Sequence, residues 1–132
     1  MTKCLLMSFL TVAALPLGAC TAEVDREQQV RAPAVQVLGA AVNCVQTSRI
    51  RDTVVHDDYT IDFRMLGGEV YRNTLPGRCP GLGFEERFAY QTTTGQLCSV
   101  DTITVLQSGG APRGPTCGLG QFVPVRYAET DG

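Results

Sequence analysis

Tyr59-Thr60-Ile61-Asp62-Phe63-Arg64-Met65 alternates apolar and polar residues without a break. Successive side chains of a β-strand point to opposite faces. Tyr59, Ile61, Phe63 and Met65 therefore share one face, and Thr60, Asp62 and Arg64 share the other. This is the pattern of a half-buried strand; it predicts that the first set is buried and the second more exposed. On the N-terminal side, Ile50 to Val55 reads as another strand. Asp57-Asp58 sits between the two, where a tight turn is needed and where an aspartate can bond its own neighbouring backbone. On the C-terminal side, Gly67-Gly68 can take the positive φ of a hairpin turn, and Glu69 to Leu75 follows as a third strand. These three elements predict a meander.

Farther along, Pro76-Gly77 ends the meander. Phe84 to Thr92 reads as a weaker strand, with Phe88 and Tyr90 on one face. Thr93-Thr94-Gly95 turns the chain into a β-branched strand from Asp101 to Leu106, with Ile103 and Val105 inward. Ser108 to Pro115 is a loop, Gln121 to Val125 a last short strand, and residues 126–132 a tail. No segment has a convincing helical period. The expectation is an all-β domain over residues 43–125: a small barrel or open sandwich of five to six short antiparallel strands. One internal echo stands out. Cys79-Pro80-Gly81-Leu82-Gly83-Phe84 resembles Cys117-Gly118-Leu119-Gly120-Gln121-Phe122, and the spacing reads as two similar turns rather than a duplication.

The N-terminus has a different character. Lys3 precedes an apolar run from Cys4 to Leu15, interrupted only by Ser8 and Thr11. A run of about twelve residues is too short to cross a bilayer, which takes about twenty, and fits the apolar region of a secretory signal. Leu17-Gly18-Ala19-Cys20 follows with the form of a lipobox. Residues 1–19 are thus expected to be a lipoprotein-type signal that is removed, and Cys20 the lipidation site. A lipid on Cys20 would anchor the protein to a membrane without spanning it. Thr21, where an aspartate would favour inner-membrane retention, leans toward the outer membrane and a periplasm-facing domain. Without lipidation the same segment implies a soluble periplasmic product. Residues 20–42 read as lipidated cysteine and flexible tether; about twenty such residues would span roughly 25 Å. Losing Lys3, the only lysine, takes the formal net charge from −2 to −3. A mildly acidic chain with scattered arginines has no basic footprint for nucleic acid.

Four cysteines remain after Cys4 leaves with the signal and Cys20 takes lipid: Cys44, Cys79, Cys98 and Cys117. In an oxidising compartment an even number reads as two disulfides. The absence of a Cys-x-x-Cys pair and the single histidine argue against zinc. Three connectivities are possible. Closure of a barrel between its first and last strands favours Cys44–Cys117 with Cys79–Cys98.

Six motifs carry a family resemblance: Cys-x-x-x-x-x-Ile-Arg from Cys44, Asp-Asp-x-Thr-Ile from Asp57, Val-Tyr-Arg-Asn-x-Leu-Pro from Val70, Arg-Cys-Pro-Gly-Leu from Arg78, Leu-Cys-Ser-Val-Asp-x-Ile-x-Val from Leu97 and Cys-x-Leu-Gly-x-Phe from Cys117. Over roughly residues 44–124 the chain resembles a bacterial family of short exported four-cysteine proteins, known only as a domain of unknown function. The resemblance implies the domain boundaries and the four cysteines; it implies no activity and no site residue.

Candidate chemistry is sparse. His56-Asp57-Asp58 could bind a metal or do acid–base work, but three consecutive residues at a turn point in different directions. Glu85, Glu86 and Asp101 could imitate a glycosidase carboxylate pair, although adjacent glutamates on a strand face opposite sides. Gly81-Leu82-Gly83 lacks the strand–loop–helix context of a phosphate loop. Arg72, Arg78 and Arg87 could gather around an anion; pairing with Glu69, Glu85 and Glu86 is the plainer expectation. The sequence therefore predicts no catalytic residue, metal or cofactor. It points to a non-enzymatic, membrane-anchored envelope module contacting an envelope protein or the cell wall. The alternative is a periplasmic domain that binds a small ligand or inhibitor.

Overall fold

The computed structural model describes residues 31–109 and 113–129. The expected signal, the lipobox with Cys20, and residues 130–132 of the expected tail lie outside the described residues. The described residues form ten strands: β1 (Val35–Val37), β2 (Cys44–Gln46), β3 (Ile50–Val55), β4 (Thr60–Met65), β5 (Val70–Thr74), β6 (Phe88–Ala89), β7 (Gln96–Cys98), β8 (Thr102–Val105), β9 (Thr116–Gly118) and β10 (Phe122–Tyr127). All pair antiparallel, in a five-stranded sheet of order β1-β10-β5-β4-β3 and smaller sheets β2-β7 and β6-β8-β9. The protein is all-β with two disulfides.

The meander is present as β3-β4-β5. At the β4–β5 turn, Gly68 has a φ of 91° and donates its N–H to the Met65 carbonyl. At the β3–β4 turn, the Tyr59 N–H donates to Asp57 Oδ1 and the His56 N–H to the Thr60 carbonyl. The aspartate turn therefore has the local bonding that its residue type favours.

Ile61, Phe63 and Met65 are buried on the inner face of β4, as the alternation predicts, with Tyr59 partly buried. Phe63 meets Phe122 edge-on at 5.3 Å and Phe88 at 6.2 Å. Leu97 and Val45 from the two-stranded sheet, and Ile103 and Val105 from β8, join them in one core. That core lies between the five-stranded sheet and the two smaller ones. Asn73 is its buried polar member. The side-chain amide donates to the Gly120 carbonyl at 2.7 Å and accepts the Gly120 N–H at 2.8 Å, so neither group is buried unsatisfied.

Four expectations are corrected. The first concerns the outer face of β4: Thr60 and Asp62 are only 3% and 0% exposed. The cause lies in the segment expected to be a tether. The Arg31 and Ala32 N–H groups donate to Asp57 Oδ2 at 2.8 and 3.2 Å, and Arg72 Nη1 donates to the Pro33 carbonyl at 2.8 Å. Residues 32–34 line one depression with Thr60, Arg72 and Thr74 before β1 pairs with β10. The N-terminal segment is thus a strap over the outer face. Val35 and Val37 alternate around Gln36, and β10 offers them an edge to pair with. That same pairing extends the last strand to Tyr127, into the expected tail.

The second correction is the disulfide pairing, which is Cys44–Cys98 and Cys79–Cys117. Cys44 and Cys117 lie on β2 and β9, not on the first and last strands. Edge strand β1 closes onto β10 without a cysteine, while β2 pairs with β7 in a register that sets Cys44 opposite Cys98. Cys79 and Cys117, the heads of the two echoed turns, then join each other. The third correction falls on Phe84 to Thr92. The chain makes one helical turn at Leu82–Glu85, ended by Glu86 at a φ of 55°, and only Phe88–Ala89 is strand. Asp58 Oδ1 accepts the Gly83 N–H at 2.8 Å and Leu82 is fully buried. Together they coil this stretch against the β3–β4 turn. The fourth correction is the arginine pairing, described with the site below.

Candidate functional site

The cross-strand register builds a polar cluster on the covered face of the large sheet. Asp62 stands opposite Arg72 in the β4–β5 pair and opposite Val54 in the β3–β4 pair. Arg72 grips it with two bonds, Nε to Oδ1 at 2.8 Å and Nη2 to Oδ2 at 3.0 Å. His56 Nε2, just past β3, lies 2.7 Å from Oδ2, and the Tyr127 hydroxyl donates to the same oxygen at 2.7 Å. Three strands and a turn thus converge on one carboxylate with no exposed surface.

The electrostatics follow from this geometry. Burial of Asp62 works against its charge, but the hydrogen bonds from Arg72, Tyr127 and His56, with the charge of Arg72, prevail and hold the carboxyl below its usual range. Tyr127 responds in the opposite sense. Burial and its bond to the ionised Asp62 push its hydroxyl up to about 12. A buried ion pair is stabilising only where hydrogen bonds also satisfy the remaining lone pairs, and here both carboxylate oxygens are occupied. On the same face, Arg64 forks onto Asp52 through Nε and Nη2. That pair is partly open to solvent, and the hydrogen bond from Arg64 lowers the Asp52 pKa.

His56, Asp57 and Asp58 are brought to one turn but not to one reacting centre. His56 is turned to Asp62. Asp57 accepts three backbone N–H groups, from Arg31, Ala32 and Tyr59. Asp58 takes the Gly83 N–H on one oxygen and Arg78 Nε on the other, at 2.8 and 2.9 Å. Among the described residues no three of His, Cys, Asp and Glu are grouped to hold a metal. Glu85 holds the Ser108 N–H and hydroxyl, whereas Asp101 takes the Cys98 N–H. The two carboxylates serve different loops. Of the three arginines, Arg72 pairs with Asp62 and Arg78 with Asp58, not with the glutamates expected. Glu69 is 4.0 Å from Arg49 instead. The register explains the difference: the hairpin centred on Gly67 puts residue 72 opposite residue 62.

Asp62 and Tyr127 did not stand out as site residues in the sequence. Counting outward from Gly67 would have paired Asp62 with Arg72; nothing local signals Tyr127, which reaches the cluster from a strand 65 residues away. A depression of about 460 Å³ adjoins the turn, lined by Arg31, Asp57, Asp58, Arg78, Gly83 and Phe84, among others. No family model, curated protein or solved structure matches the chain.

Proposed function

We propose that this protein is a non-enzymatic cell-envelope module, held to a membrane through a lipid on Cys20, whose folded domain contacts an envelope protein or the cell wall. The observation that carries the reading is how the titratable groups of the candidate cluster are used. Asp57, Asp58 and Asp62 each bind the chain to itself, and His56 is turned onto Asp62. A general acid or base must instead reach a substrate atom. Two disulfides fit folding in an oxidising compartment outside the cytosol. The strap adds a mechanical argument: residues 31–33, the first described residues on the Cys20 side, are fastened to the domain by Asp57 and Arg72.

Detergent-phase partitioning and the mass of the mature protein test the anchor. The wild type should enter the detergent phase with a lipid-modified N-terminal cysteine, and Cys20→Ser should not. Unchanged partitioning and mass in that variant would overturn the anchor. Crosslinking in intact envelopes and co-sedimentation with purified cell-wall sacculi test the contact; failure of both would remove it. A second reading, a small polar ligand, draws on the groove lined by Tyr90, Gln91, Thr102, Thr104 and Arg113 on the three-stranded sheet. An aromatic ring beside hydroxyl, amide and guanidinium groups suits such a ligand.

A further inference from the structure

We infer that Phe84, flanked by Arg78 and Arg31, is the edge by which the domain rests on the phospholipid surface that holds Cys20. The inference depends on the proposed lipid anchor and adds an orientation to it. Phe84 is 87% exposed. One exposed apolar side chain is ordinary on a protein surface; its support and position set this one apart. The turn beneath it is fixed on several sides. Leu82 is fully buried, the Gly83 N–H is held by Asp58, and the Cys79 N–H donates to the Asp58 carbonyl at 2.9 Å. Cys79 is also bound to Cys117. At Gly83 a Cβ would stand 3.0 Å from the Asp57 backbone, so the turn is seated closely on its neighbour. The phenylalanine is therefore held out in water by a rigid support.

Position supplies the partner. Phe84, Arg78 and Arg31 line one depression together with Asp57 and Asp58, the latter paired with Arg78, and Arg31 is where the described chain begins on the Cys20 side. The eleven residue steps from Cys20 to Arg31 cannot span more than about 40 Å in any conformation. A lipid on Cys20 would therefore keep the domain within reach of the bilayer, with the Arg31 end nearest along the chain, at the high effective concentration that lets a weak contact form. An apolar ring with neighbouring guanidinium groups matches the layer where acyl chains meet phosphates. Leu66 is the internal comparison. It is 64% exposed just past the end of β4 opposite the Asp57–Asp58 turn, a strand about 20 Å long for six residues.

Photocrosslinking on the full lipidated chain tests the orientation. The photoreactive residue p-benzoylphenylalanine is placed at position 84 or 66, and the protein is reconstituted into phosphatidylethanolamine–phosphatidylglycerol vesicles. Position 84 should form phospholipid adducts and position 66 should not. Chain that floats with the vesicles but gives no lipid adduct at 84, or equal adducts at both positions, would overturn the orientation and leave the anchor standing. Chain that fails to float would overturn the anchor and the orientation with it. In intact cells, adducts from position 84 to a protein instead of lipid would also overturn the membrane contact. Arg31→Glu should reduce the adduct at 84 in anionic vesicles; an undiminished yield would count against the charge contribution.

Discussion

The two faces of β4 are buried to a similar degree by different physics. On the inner face, Ile61, Phe63 and Met65 pack among apolar side chains from all three sheets. On the outer face, Thr60 and Asp62 are covered by a strap, and Asp62 is held by Arg72, His56 and Tyr127. Packing is non-directional and tolerates small errors of position. A buried carboxylate tolerates none, because each donor it loses leaves a polar group without a partner in a medium of low dielectric. The inner face supplies stability in bulk. The outer face requires the N-terminal segment to lie in one place.

The inner face should break hardest. Phe63→Ala removes the ring at the centre of the aromatic cluster and should cost about 3–5 kcal/mol, read as a large fall in the urea midpoint. Asp62→Ala should cost somewhat less, about 3 kcal/mol, at the low end for breaking a buried pair, because Arg72 keeps a little solvent contact. The double substitution Asp62→Leu with Arg72→Met sharpens the contrast. It leaves no unpaired charge between these two positions and should recover most of the loss. If it is as unstable as Asp62→Ala, the pair does more than satisfy itself.

Tyr127→Phe should have the smallest effect, about 1 kcal/mol for one hydrogen bond, and it also tests the titration. The folded Tyr127 value, about 12, lies above the ordinary tyrosine value of about 10. Its contribution is therefore complete below about 10 and is lost as pH rises through 12. Asp62 has the opposite sign. Its folded value is lowered, so its contribution is complete above the ordinary carboxylate value of about 3.9 and is lost as pH falls through the lowered one. The wild type should lose its advantage over Tyr127→Phe in alkali; an advantage that persists there would refute the bond to Asp62.

The same contrast explains what could be read in the sequence. The inner face was legible because alternation from Tyr59 to Met65 and turn residues at Asp57-Asp58 and Gly67-Gly68 are local signals. The outer face was not. Thr60 and Asp62 are typical solvent-facing residues, and part of what closes this face comes from far along the chain: Tyr127, 65 residues from Asp62, and Pro33, 39 residues from Arg72. Val35-Gln36-Val37 carries an alternation too short to separate from its small-residue surroundings. The disulfide pairing was not legible for a similar reason. Cys44-Val45-Gln46 has no strand signal of its own, and its pairing with Gln96–Cys98 becomes visible only with the sheet assembled. At the candidate site, the carboxylates at the turn were legible as turn formers. The convergence on Asp62 needed the register of three strands.

Amide hydrogen exchange at Arg31 and Ala32 tests most directly whether the segment leading to Cys20 is fastened to the domain. Both amides donate to Asp57 Oδ2. In the wild type both should exchange far more slowly than an unstructured peptide, and Asp57→Ala should release them while the amides of Ile61 and Phe63 stay protected. Exchange of Arg31 and Ala32 at unstructured rates in the wild type would contradict the strap, and with it the mechanical link from Cys20 to the fold.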